Sequence, residues 1–132
     1  MASRKPVPHP AQRIVLDSSC WIEYLRDSNR ADLFAAAVES PEQLVVPVIT
    51  IYEVTKKLQR ELSSRVAAFA ESLMCRGTVV DIDLALCNAA IGNRLPLADS
   101  LIYATAQAQD AVLWTQDAHF DGLAGVRHFG QA

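Results

Sequence analysis

Short runs of four or five apolar residues alternate along this chain with longer stretches whose apolar positions recur every three or four residues. The short runs predict buried strands and the longer period predicts helices. Residues 13–16 are the first run, and Asp17 ends it. Trp21, Ile22 and Leu25 follow at helical spacing, and the alanine-rich segment 31–38 predicts a second helix. A run at 44–46 leads into Pro47, which suits a helix start, and that helix extends to about residue 59. Another helix is expected over 62–75, closed by Gly77. A third strand covers 78–82, helices cover 83–93 and 98–109, and strands four and five cover 112–115 and 126–129.

Strands separated by helices imply βα units and a parallel sheet. Ligands of such sheets sit beyond the carboxyl ends of the strands. The residues just after each strand are therefore the place to look for chemistry. Residues 1–12 (MASRKPVPHPAQ) hold three prolines and read as a poorly ordered leader, with one domain over 13–132.

Length and composition narrow the function classes. At 132 residues and 51% apolar, the chain is long enough for one domain with a real core. Disordered, collagen-like and disulfide-scaffold chains are excluded. No apolar run reaches the roughly 18 residues of a bilayer span, and no secretory signal is visible, so a cytoplasmic protein is expected. A net charge of -3 argues against a sequence-reading nucleic-acid binder. It leaves room for an enzyme whose acids surround a metal. Cys20, Cys75 and Cys87 are odd in number and widely spaced, so they read as reduced, buried thiols rather than zinc ligands. Phosphate-cradling glycine loops and a serine nucleophile elbow are both missing from the sequence.

Four acids stand out, each with an ordinary explanation beside it. Asp17 follows the first strand, where it also suits a helix N-cap. Glu53 lies within an apolar helix, four residues before Lys57, an ordinary surface pairing. Asp99 opens a helix that is apolar almost all round, and a helix N-terminus favours a carboxylate. Asp117 follows the fourth strand, where a turn aspartate is common, and Asp121 is its rival. Gathered within about 4–6 Å, such carboxylates repel pairwise by roughly 1 kcal/mol in water, or about 4 kcal/mol at an effective dielectric near 20. Lys and Arg are missing next to Asp17, Asp99 and Asp117 in sequence. A hard cation, Mg²⁺ or Mn²⁺, would relieve the repulsion and serve phosphodiester hydrolysis. His9, His119 and His128 are scattered and read as surface or loop residues, with His119 nearest the acids. Lys56, Lys57 and Arg60 suit either phosphate contacts or a solvated helix face. Trp21 and Trp114 read as core.

With these residues in place, the sequence resembles the PIN-domain ribonucleases, and more narrowly the VapC-type toxins of toxin–antitoxin pairs. The matching stretches are Ile14-Val15-Leu16-Asp17-Ser18-Ser19, Pro47-Val48-Ile49-Thr50-Ile51-Tyr52-Glu53-Val54, Leu95-Pro96-Leu97-Ala98-Asp99-Ser100-Leu101-Ile102-Tyr103-Ala104-Thr105-Ala106 and Leu113-Trp114-Thr115-Gln116-Asp117-Ala118-His119-Phe120. They span about residues 13–129, and the third is the most specific. The resemblance implies a three-layer α/β/α fold with a central parallel sheet of four to five short strands. It implies an endoribonuclease using Mg²⁺ or Mn²⁺, an antitoxin partner and a homodimer. Asp17, Glu53 and Asp99 match the family's core acids and Asp117 the more variable fourth. Ser18 and Thr115 match supporting hydroxyl positions. His119 departs from the pattern, since many members carry an acid there. The alternatives are a housekeeping or catalytically silent PIN-like domain, or a haloacid-dehalogenase-like phosphatase. Ser19, two residues after Asp17, counts against the phosphatase, which usually carries a second Asp at that place.

Overall fold

A computed structural model describes residues 12–130. Except for residue 12, the expected leader lies outside the described residues. The elements run β1 (Arg13–Leu16), α1 (Ser18–Leu25), α2 (Ala31–Val38), β2 (Val45–Pro47), α3 (Val48–Glu61), α4 (Ser64–Met74) and β3 (Thr78–Val80). Then come α5 (Leu84–Ile91), α6 (Leu97–Ala108), β4 (Ala111–Thr115) and β5 (Val126–His128). Short 3-10 turns cover Pro41–Gln43 and Ala118–Phe120.

All strand pairings are parallel. One sheet has the order β1-β4-β5, and β2 pairs with β3. A single parallel bridge from Ile14 to Leu44 sets the pair beside β1. The expected sheet of four to five strands is thus three strands plus a pair.

Alternation along β1 explains the layers. Successive side chains of a strand face opposite sides, and both sides here are apolar. Ile14 and Leu16 pack with Trp21, Phe34, Val54, Leu58 and Met74 from α1–α4. Val15 packs with Ile102 and Ala106 of α6, and with Leu113 and Phe120. Both faces of β1 are therefore covered, as a parallel sheet requires. Trp21 and Trp114 are buried, as expected.

Several boundaries move for identifiable reasons. Ser63 accepts a hydrogen bond from the Val66 N–H at 3.1 Å, so α4 starts after it rather than at residue 62. Asp83 does the same for α5 through the Leu86 N–H at 2.8 Å. Residues 81 and 82 fall outside β3, whose side chains are largely exposed. Gly77 does not close α4 in a left-handed conformation. A Cβ there would meet Leu44 Cβ and Val46 Cγ2 at 3.0 Å, so glycine permits β3 to approach β2. The three cysteines are free, but only Cys20 is buried; Cys75 is exposed and Cys87 half-buried, which corrects the expectation. Among the described residues, no helix is long and apolar enough to cross a membrane.

Candidate acidic site

Register places the first and last acids together. Leu16 pairs with Trp114, so the residues leaving β1 and β4 emerge side by side. Asp17 is the first residue past β1, and Asp117 comes two past β4. The second turn of α3 brings Glu53, and the first turn of α6 brings Asp99. These four acids line one cavity of about 470 Å³, together with Ser18, Ser19, Glu23, Arg30 and Gln116.

Asp17 is only 5% exposed. Its Oδ1 accepts from the Ser18 N–H at 2.8 Å and its Oδ2 from the Thr115 hydroxyl at 2.9 Å. Asp17 does stand at the N-cap of α1. Its bond there is to the adjacent N–H, not to the second or third helical N–H that a capping side chain usually takes. Burial pushes its pKa up to about 6, against the downward pull of Thr115 and Ser18, and the charges of Asp99 and Glu53 add to the rise.

Glu53 is held by Ser18, whose hydroxyl donates to Oε1 at 2.5 Å, and not by Lys57. Burial also raises the Asp99 pKa; the bond from His119 opposes that rise and the Asp117 charge reinforces it. Asp117 caps its 3-10 turn, with Oδ1 accepting from the His119 N–H at 2.9 Å. Its own N–H donates to Thr115 Oγ1 at 2.9 Å. Thr115, fully buried, thereby joins Asp17 to the Asp117 backbone. Asp121 does not line the cavity; it is exposed, 3.9 Å from His128 Nδ1.

Two residues at this site, His119 and Arg30, are not among the site residues expected from the sequence. His119 Nδ1 lies 3.1 Å from Asp99 Oδ2 and 3.3 Å from Asp117 Oδ1. The bond to Asp99, and then the Asp117 charge, hold its pKa above the usual value. Ligand atoms of Asp99, Asp117 and His119 lie within 4.8 Å of one another. Arg30 also lines the cavity, with its guanidinium engaged by groups other than the four acids. It donates to Gln116 Oε1 and to the carbonyls of Phe129 and Gly130, and lies 3.7 Å from Glu23. Only the fold reveals Arg30, because the groups its guanidinium hydrogen-bonds are 86–100 residues away. For His119, proximity to Asp117 was a usable signal.

A second cavity shares Ser18, Ser19 and Glu53 with the first and continues along α3 past Tyr52, Lys56, Lys57 and Arg60. Cations therefore flank the acidic cavity on one side.

A parallel α/β domain with carboxylates gathered at the strands' carboxyl edge is a class of fold suited to cation-assisted chemistry. Within that class the chain belongs to the PIN domain family, whose model matches residues 14–126. That membership sets the phosphatase alternative aside. Among solved structures, a toxin–antitoxin complex from Klebsiella pneumoniae is similar, with TM-score 0.71 and 24% identity over 86% of this chain and 95% of that one. VapC20 of Mycobacterium tuberculosis, a sarcin–ricin loop cleaving toxin, has TM-score 0.70 and 17% identity over 86% and 96% of the two chains. DNA-bound VapBC from Salmonella typhimurium has TM-score 0.66 and 18% identity over 90% and 98%. These likenesses establish the fold. No curated protein matches the chain in sequence.

Proposed function

We propose that this protein is a divalent-cation-dependent endoribonuclease acting as the toxin of a VapBC-type pair. One observation carries the reading: Asp17, Glu53, Asp99 and Asp117 converge on a single cavity, although 100 positions separate the first from the last.

The donor set fits a hard cation. It is rich in carboxylate oxygen, as Mg²⁺ and Mn²⁺ require. The nearly sequestered Asp17 carboxylate sits beside three further acids, an arrangement that a cation relieves. Asp17, Glu53, Asp99 and Asp117 would hold the ion, with Ser18 and Thr115 supporting them. When bound, Mg²⁺ or Mn²⁺ supplies Lewis acidity toward the phosphoryl oxygens and the attacking water.

The chain's own groups do the rest. Ser18 fixes the Glu53 carboxylate, and Thr115 fixes Asp17 relative to Asp117. Their preset positions lower the cost of organising the site during reaction. Lys56, Lys57 and Arg60 neutralise phosphates of the strand entering along α3. The Klebsiella and Salmonella neighbours are toxin–antitoxin assemblies, which supports an antitoxin partner here. A homodimer in the cytoplasm belongs to the same reading. Exposed Leu84 and Ile91 at the two ends of α5 offer apolar surface for such contacts.

Labelled RNA incubated with purified protein tests the activity. Cleavage should require Mg²⁺ or Mn²⁺ and vanish in Asp99→Asn. Turnover near the parent level in that variant overturns the assignment. For the toxin role, expression of the chain alone should arrest bacterial growth, whereas Asp17→Asn should not; equal toxicity of the two overturns nuclease action as the cause.

A further inference from the structure

We propose that His119 is a nitrogen ligand of the cation held at Asp99 and Asp117, and that it tilts the site toward transition ions such as Mn²⁺ over Mg²⁺. The inference rests on the cation-dependent reading above and adds a ligand and an ion preference to it.

Three electron-pair donors converge. His119 Nδ1 is 3.1 Å from Asp99 Oδ2 and 3.3 Å from Asp117 Oδ1. An imidazole nitrogen without its proton presents only a lone pair to two carboxylates. Something positive must lie between them: a proton or a metal ion. The spacing is that of a hydrogen bond and accommodates a metal equally. Around an octahedral ion with ligands at about 2.1 Å, adjacent donor atoms are about 3.0 Å apart and opposite ones about 4.2 Å. Both His119 distances match adjacent positions, and the whole set stays within 4.8 Å.

The imidazole is also held in place. The His119 N–H donates to Asp117 Oδ1 within the 3-10 turn, and the next residue, Phe120, is fully buried in the core. The turn therefore presents Asp117 and His119 as one unit, while Asp99 arrives from α6. Chemistry then sets the preference. Mg²⁺ demands oxygen ligands and dehydrates reluctantly, whereas imidazole favours first-row transition ions. An Asp at position 119 would make the site all-oxygen.

The test uses the full chain stripped of metal and loaded with Mn²⁺ alone, without RNA. Pulsed electron paramagnetic resonance should show ¹⁴N coupling to the bound Mn²⁺. In His119→Asp, Mn²⁺ should still bind, the ¹⁴N coupling should disappear, and the Mn²⁺-over-Mg²⁺ affinity ratio should fall by about tenfold or more. The His119 side chain is 59% exposed, so the variant disturbs no core packing. Mn²⁺ bound to the parent without nitrogen coupling overturns the inference and leaves the nuclease reading standing. Coupling that survives in His119→Asp, or an unchanged affinity ratio, also overturns it. Failure of the parent to bind Mn²⁺ at all overturns both readings together.

Discussion

Asp17 and Thr115 lie 98 residues apart in sequence and are joined by one buried hydrogen bond of 2.9 Å. The same hydroxyl accepts the Asp117 N–H, so one side chain ties the ends of two neighbouring strands. Thr115→Val keeps the shape and removes both bonds. Leaving the Asp17 oxygen and the Asp117 N–H without that partner should cost about 1–3 kcal/mol of folding stability. The Asp17 pKa should rise further, since Thr115 now pulls it down. Denaturant unfolding and a carboxylate titration by NMR check the two outcomes. RNA cleavage should fall by about 10–100-fold, as expected when a group supporting a metal ligand is lost.

Metal-free protein should be more stable near pH 5 than near pH 7. Asp17 has its folded pKa raised from 3.8 to about 6, so the folded state binds its proton more tightly than the unfolded chain does. The resulting stabilisation is complete below about pH 4 and is lost as pH rises through 6. The shift corresponds to at most ~3 kcal/mol. Asp99 and His119 also have raised values, and both push stability the same way. Urea midpoints measured with chelator across this range test the slope. Saturating Mn²⁺ should flatten it, because the ion binds the ionised acids.

Asp17→Asn weighs the mutual repulsion of the acids against the Thr115 hydrogen bond to Asp17. Without metal at pH 7, the amide removes a buried charge yet still accepts the Ser18 N–H. The variant's melting temperature should therefore equal or exceed that of the parent. A clear fall would mean that the bond from the Thr115 hydroxyl, which an amide NH2 cannot accept, outweighs the relief of repulsion.

The sequence showed the strand–helix alternation because each strand is short, apolar and flanked by polar residues. It also pointed to the four acids, since three stand at element boundaries. Less legible was what each acid touches. Glu53 looked like a partner of Lys57 because that spacing is local, whereas its bond runs to Ser18, 35 residues away. Arg30 escaped for the same reason. Gly77 was visible as a helix stop, but its need for a missing side chain comes from Val46 of β2 and from Leu44 just before it. Gly77→Ala should accordingly cost about 1–3 kcal/mol through crowding, measurable by denaturant unfolding, with β3 displaced from β2.

Charge along α3 supplies the last test. Lys56, Lys57 and Arg60 line the cavity that continues from Glu53, and Lys56 Nζ also lies 5.3 Å from the centre of the exposed Tyr52 ring. If this face carries the RNA strand, each phosphate contact releases counterions. Affinity then falls with salt at a slope of about 0.7 per contact on a single strand. Binding is measured on the Asp99→Asn background, so that the RNA stays intact. Replacing Lys56, Lys57 and Arg60 by alanine should reduce the slope by about 2 and weaken binding for all sequences alike. Folding should change little, because these side chains are exposed and the Arg60 ion pair is with its exposed neighbour Glu61. An unchanged slope would mean that the strand enters the acidic cavity from another side, and α3 would then be an ordinary solvated face.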